Sequence, residues 1–285
     1  MIARIVAALL GWLSLASPVA APAVLAPALW VARDADTTIW LFGTVHQLRP
    51  RTPWLSGAVA DAFAGSDTLV LEIVEPSPDE MAAAVVQVTP PRPAPLPGEL
   101  DRRLRARAAE LGFPRNAFDA TAPWFAATVL AAQPLAQAGY RSDPAPETLL
   151  TTLAERSGKP VTAFETLGQQ LGIFAALPQG AQRTMLERTL AERDPVPAMD
   201  RVVATWGRGD MATLDRLLGE DMAEAGPAVR TALLDRRNAA WAKTIAGWMD
   251  RPGTRFVAVG AGHLTGPGSV QERLRARGVE VKRVR

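Results

Sequence analysis

Residues 40–46 read Trp-Leu-Phe-Gly-Thr-Val-His, and residues 256–263 read Phe-Val-Ala-Val-Gly-Ala-Gly-His. In both stretches an apolar run typical of a buried β-strand ends at a glycine, and a histidine follows three residues later. His46 and His263 are the two histidines of the chain. Because imidazole binds divalent metals and moves protons near neutral pH, this repeated G-x-x-H pattern predicts the functional centre.

The sequence around these motifs predicts further strands and helices. Residues 29–33 and 38–42 form a predicted hairpin, residues 68–71 a short strand that ends at Glu72, and residues 159–164 a strand that ends at Glu165. Helical patterns fill most of the chain between the two G-x-x-H motifs. Strands separated by helices predict an α/β fold, with a central mixed sheet, G-x-x-H motifs at strand ends, and a large helical insertion or cap.

The N-terminus has the features of a secretory signal peptide, with a positive start, an apolar centre and small residues at a cleavage site. We therefore predict a signal peptide at residues 1–23 and one α/β domain at residues 24–285, with the helical insertion at about residues 99–250. The predicted location is periplasmic or extracellular. No stable membrane span is expected after cleavage; an uncleaved anchor is the alternative.

Composition excludes several classes of protein. The chain has 285 residues, no cysteine and a net charge of +2, so disulfides and thiol chemistry are excluded. It has no block of basic residues interleaved with aromatics, which argues against a nucleic-acid partner. Neither a G-x-S-x-G elbow nor an H-E-x-x-H helix occurs, which argues against a serine hydrolase and excludes the common zinc-protease motif.

Ligands of open α/β sheets bind beyond the carboxyl ends of the strands. The residues expected there are His46, Glu72, Glu165 and His263, whose imidazoles and carboxylates suit Mn, Co, Fe or Zn. A carboxylate that is not a ligand could serve as a general base. Gly43 and Gly260 would let the backbone approach a cofactor or substrate closely.

Structural roles compete with these assignments. Glu72 could cap the next element or pair with an arginine, and Glu165 could favour a helix N-terminus through the helix dipole. Arg237 and Asn238 lie on or beside the apolar stripe of a helix predicted at residues 231–249. They could hold a site carboxylate or a substrate carbonyl, or belong to a structural hydrogen-bond network.

A proline-rich segment at residues 76–98 follows Glu72, with a helix predicted at residues 81–88. Proline removes backbone donors and favours extended chain, so this segment is expected to be a long loop rather than core. Its start near the predicted site indicates a substrate lid.

The ordered motifs resemble one protein family. They are LFGTVH at residues 41–46, LVLE at 69–72, FETL at 164–167, Arg237-Asn238, and VGAGHL at 259–264. This set resembles the TraB/GumN family, which includes the Tiki proteins, and it extends over nearly the whole predicted mature chain.

The resemblance implies a metal-dependent peptidase. Tiki relatives use Mn or Co rather than Zn, and their essential paired histidines and glutamate correspond to His46, His263 and Glu72. The wider erythromycin esterase and ChaN-like superfamily implies an α/β core with helical insertions, and a peptide or protein is the implied substrate. The alternative is a non-catalytic binder of haem, a metal or a peptide signal, which the resemblance to ChaN-like and TraB-like relatives implies. GumN-type members, which this chain resembles most, mostly lack an established substrate.

Overall fold

A computed structural model describes residues 25–74, 76–89, 95–143 and 145–284. The predicted signal peptide lies outside these residues. The strands are β1 (Leu29–Arg33), β2 (Thr37–Thr44), β3 (Thr68–Leu71), β4 (Val161–Ala163), β5 (Gly253–Gly260) and β6 (Val281–Arg283). The helices are α1 (Gly57–Ala64), α2 (Pro78–Val88), α3 (Gly98–Glu110), α4 (Pro123–Gln137), α5 (Pro146–Arg156), α6 (Leu167–Ala175), α7 (Gln179–Ala191), α8 (Val196–Gly207), α9 (Met211–Ala225), α10 (Pro227–Arg230), α11 (Arg236–Trp248) and α12 (Val270–Arg275).

The strands form one six-stranded sheet in the order β4-β3-β5-β2-β1-β6. β4, β3, β5 and β2 are parallel, whereas β1 is antiparallel to both β2 and β6. The predicted α/β fold with a central mixed sheet is confirmed. β2 and β5 are parallel neighbours, and each precedes one of the G-x-x-H histidines. Their carboxyl ends therefore lie side by side.

Successive residues of the central strands point to opposite faces, and each face is covered by helices. On one face Phe42, Leu71 and Phe256 pack beneath α1, α5 and α8. On the other, Leu41 and Val257 pack beneath α11 and α12. The central strands are buried on both sides, which explains why their sequences are continuous apolar runs.

Most helices lie between β3 and β5 in the sequence, and β4 is the strand that interrupts them. Part of this helical region has an apolar cluster separate from the two that cover the sheet. It is built from side chains of α3, α4 and α7, with Leu104, Leu130 and Leu186 at its centre. This cluster gives these helices a core of their own.

Two predicted elements are longer than the observed ones. The strand predicted at residues 159–164 is β4 (Val161–Ala163). The pattern of residues 54–64 predicts a helix from residue 54, but α1 begins at Gly57, because Ser56 is extended.

The sequence also has the order strand, G-x-x-H, helix and strand near both ends, at residues 40–71 and 256–284, which resembles a repeat. The two units differ in the sheet: β3 is parallel to β5, whereas β6 joins β1 antiparallel.

None of the helices in the described residues is both long enough and apolar enough to cross a bilayer.

Candidate active site

The ends of β2, β3 and β5 bring His46, Glu72 and Gly260 together. The position that a Cβ would take at Gly260 is next to both other residues. A Cβ built there would lie 3.1 Å from Glu72 Oε1 and 3.3 Å from His46 Nε2. A side chain at this position would therefore crowd the carboxylate and the imidazole. Gly260 allows the close approach that the sequence predicts.

Glu72 is buried and accepts three hydrogen bonds. Its Oε1 accepts from the Gly260 amide at 2.7 Å, and its Oε2 accepts from Arg237 Nη2 at 2.5 Å and from Gln170 Nε2 at 3.1 Å. Burial alone raises the pKa of Glu72, but its interactions with His263, Arg237, His46 and the Gly260 amide lower it to about 2. Glu72 is therefore a carboxylate at neutral pH.

His263 lies in a 3₁₀ turn, Ala261–Leu264, directly after β5, and it is 4% exposed. Its Nδ1 lies 2.5 Å from Asn238 Oδ1, and Asn238 Nδ2 donates to Gly268 O, so the amide oxygen faces the ring and Nδ1–H is the donor. Burial lowers the pKa of His263 to about 4. The ring is neutral at pH 7, so Arg237 is the buried cation that keeps Glu72 ionised there. His263 Nε2 lies 3.5 Å from Glu72 Oε1.

His46 is 69% exposed, and it is exposed to the cleft that contains the site. Its Nδ1 donates to Glu147 Oε1 at 2.7 Å, and the same oxygen accepts from Thr44 Oγ1 at 2.5 Å. The surrounding protein lowers the pKa of His46 by desolvation, but the hydrogen bond and charge of Glu147, with the charge of Glu72, raise it to about 9. His46 is therefore mostly protonated at pH 7.

Arg237 follows a single π-helical turn, Thr231–Asp235, which precedes α11. Such turns often occur at functional sites. Arg237 forms a two-pronged ion pair with Glu165, with N–O distances of 2.9 to 3.1 Å, and its Nη1 donates to His263 Nε2 at 3.0 Å. One guanidinium thus joins two buried carboxylates and a histidine.

Two cavities meet at the site, and His46, Glu72 and Gln170 line both of them. The larger cavity, about 550 Å³, extends along α6, α8, α9 and the π-helical turn. The smaller cavity, about 300 Å³, extends along α5. The site therefore lies at the junction of a two-armed cleft, a size and shape that suit a ligand extending in two directions.

The predicted residues fall into two groups. His46, Glu72, Arg237, Gly260 and His263 line the larger cavity. The other three predicted residues do not line it; they are Gly43, Glu165 and Asn238.

Glu165 and Asn238 support the site through hydrogen bonds to Arg237 and His263. Glu165 is not the helix cap, because Thr166 and Gln169 form the capping box of α6. Gly43 has a packing role: a Cβ there would lie 3.1 Å from Ala261 Cα, so this glycine lets the 3₁₀ turn pack on β2.

Glu147 is a residue of the site that sequence reasoning missed. It lies in the first turn of α5, where an acidic residue is common because it favours the helix dipole. That ordinary role masks its contact with His46, 101 positions away in the chain. Gln170 belongs to the site as well, because its Nε2 donates to Glu72 Oε2. It lies in the first turns of α6, shortly after Glu165, and this short spacing could have indicated that it faces the site.

The chemistry of these donors fits a divalent metal, with one rearrangement. Each histidine has Nδ1 held by an outer oxygen, from Glu147 or Asn238, which leaves His263 Nε2 3.5 Å from Glu72 Oε1 and His46 Nε2 beside Gly260, next to Glu72. Outer acceptors of this kind orient metal-binding imidazoles. Among the described residues, however, no three His, Asp or Glu side chains are already arranged as a metal site. Arg237 Nη1 donates to His263 Nε2 and would have to move.

The segment predicted as a lid contains α2, which begins with a capping box of Ser77 and Glu80. α2 packs against α6, with Ala84 buried. Pro76, just before α2, lines the smaller cavity. The segment therefore reaches the mouth of the cleft through its first residues, and its action as a substrate lid stays a prediction.

The chain belongs to the TraB/PrgY/gumN family, whose family model matches residues 28–283. A relative from Escherichia coli (strain K12), described as uncharacterized protein YbaP, is 22% identical over 250 residues, which are 87% of this chain and 92% of that protein. No solved structure matches the chain. The family predicted from the short motifs is confirmed, and the name of this relative states no activity.

Proposed function

We propose that this protein is an exported metal-dependent hydrolase, and that it cleaves peptides. The observation that carries the proposal is the matched setting of His46 and His263, each with Nδ1 bound to an outer oxygen, His263 with Nε2 3.5 Å from Glu72 Oε1 and His46 with Nε2 beside Gly260, next to Glu72. Two neutral imidazoles and one carboxylate form a ligand set used by divalent metals in hydrolases, and Mn or Co is the proposed metal.

His46 Nε2, His263 Nε2 and the Glu72 carboxylate would hold the ion. A divalent metal bound there would polarise a substrate carbonyl and lower the pKa of bound water. When Arg237 leaves His263, its pairing with Glu165 keeps the guanidinium beside the site, where it can stabilise negative charge on a substrate oxygen. Glu72 is ionised at neutral pH, so it is available as a ligand or as the base that accepts a proton.

One observation favours the second candidate, a non-catalytic binder of haem, a metal or a peptide signal. Arg237 already pairs with both Glu72 and Glu165 and donates to His263, so each of these groups has a partner without any ion. Metal analysis of the purified protein, followed by cleavage of a peptide library with and without chelator, separates the two. Cleavage that stops with chelator and returns with Mn supports the hydrolase; tight peptide binding without cleavage supports the binder.

The state of His46 gives a pH prediction for metal binding. With its pKa at about 9, His46 must lose a proton from Nε2 before this atom can bind a metal. Mn binding at pH 7 should release about one proton, and the affinity should rise as the pH increases towards 9. Titration calorimetry in buffers of different ionisation enthalpy measures the released protons.

Glu147→Gln is the matched variant, because it preserves an acceptor for Nδ1 and removes the negative charge. The pKa of His46 should then fall back towards its usual range. The number of protons released when Mn binds at pH 7 should become clearly smaller than in the wild type. Equal proton release in both proteins would show that Glu147 does not control the charge of His46.

A further inference from the structure

The larger cavity opens directly from the reacting groups and has mostly apolar walls. Besides the site residues, its lining includes Phe174, Val202, Leu218, Met222, Leu233 and Leu234. Phe174 is held by stacking on the buried Trp124, with ring centroids 5.5 Å apart. This wall is therefore fixed in place and is suited to burying an apolar group.

Gly219 lies inside α9 and also lines this cavity. A Cβ added there would meet no atom within 4 Å, and the backbone is ordinary α-helix, in which glycine is less favourable than alanine by about 1 kcal/mol. Neither backbone conformation nor close packing requires glycine at this position. What its missing side chain provides is open space within the cavity.

We propose that the larger cavity is the subsite for a large hydrophobic side chain, such as Phe, Leu or Met, next to the peptide bond that is cleaved, and that Gly219 sets its size. The inference rests on the proposed function. A volume of about 550 Å³ accommodates such a side chain together with adjoining backbone. Asp215, Asp221 and Arg230 also line the cavity, so its charged groups are of both signs and lie among a larger number of apolar side chains.

The test uses the full chain with Mn and peptides that differ at the residues beside the cleaved bond. The wild type should cleave peptides with Phe faster than those with Ala, in kcat/KM, by about tenfold or more. Gly219→Phe fills the cavity and should lower this ratio at least tenfold. Gly219→Ala, which should fold at least as stably as the wild type, should lower it by a smaller factor.

Gly247→Phe is the matched control, because Gly247 also lies in a helix with open space around it but is exposed and outside the cavity. It should retain the wild-type ratio. Cleavage by the wild type without preference for large apolar residues would overturn the subsite and leave the proposed function standing. A ratio unchanged in a folded Gly219→Phe would overturn the role of Gly219.

A binding measurement covers the case in which no peptide is cleaved. Calorimetric titration with Gly-Phe-Gly and Gly-Ala-Gly should show tighter binding of the Phe peptide by about tenfold, with the difference lost in Gly219→Phe. This result without cleavage would support the subsite and contradict the hydrolase. Equal affinity for the two peptides would overturn the subsite.

Discussion

Glu72→Gln is expected to lower peptide turnover by about 100-fold or more while the protein stays folded. Glutamine has nearly the same shape and can still accept from the Gly260 amide, but it has no negative charge to bind a metal or to take a proton. Turnover should be measured on any peptide that the wild type cleaves with Mn. Circular dichroism should confirm that the variant is folded.

Glu165→Gln is the informative comparison, since Glu165 contacts Arg237 but does not line the larger cavity. A smaller loss of turnover is expected for it. Wild-type turnover by Glu72→Gln would show that the Glu72 carboxylate has no catalytic role.

The largest loss of stability is expected for Arg237→Met in metal-free protein. The guanidinium is 9% exposed and pairs with Glu72 and Glu165, which are 8% and 12% exposed. Its removal leaves these two carboxylates, both largely buried, without their guanidinium partner, and breaking a buried ion pair in this way typically lowers the free energy of unfolding by about 3–5 kcal/mol. Urea unfolding at pH 7 with chelator measures this difference.

Arg236→Met is the control, because Arg236 is the adjacent residue of α11 and is exposed; its effect on the free energy of unfolding should stay within about 0.5 kcal/mol.

The contribution of the Glu72 ion pair to the free energy of unfolding should depend on pH. The pKa of Glu72 is lowered in the folded state, so its ion pair stabilises the fold above pH 4.5 and loses this effect as the pH falls towards about 2. The difference in free energy of unfolding between the wild type and Arg237→Met should therefore decrease as the pH falls from 4.5 towards about 2. Equal unfolding midpoints at pH 7 would contradict this account of the ion pairs.

The parts of the site that lie at strand ends could be predicted from the sequence. An apolar run followed by a histidine or a glutamate marks the end of a buried strand, and parallel strands bring such residues to one edge. This local pattern predicted that His46, Glu72 and His263 lie together at the strand ends. The register could not be read in the same way: Gly43 pairs with Val259 rather than with Gly260, so the two motifs are offset by one residue.

Contacts between elements far apart in the sequence could not be predicted. Glu147 contacts Thr44 and His46 only because the fold brings the first turn of α5 to the end of β2, and nothing in its local sequence distinguishes it from a residue that stabilises a helix N-terminus. The opposite exposures of the two histidines have the same origin. His263 is covered by α11, whereas His46 opens into the cleft. Desolvation lowers the pKa of both histidines, but the hydrogen bond and charge of Glu147 raise the pKa of His46 alone.

The sharing of one divalent ion by His46 and His263 is tested most directly by Mn titration, in which electron paramagnetic resonance counts the free ion. We expect one Mn per wild-type chain, and loss of most of the bound Mn in His46→Ala and in His263→Ala, since a ligand lost from a small set is rarely compensated. The double variant contains no histidine at all. A folded double variant that still binds one Mn with wild-type affinity would contradict the proposed site.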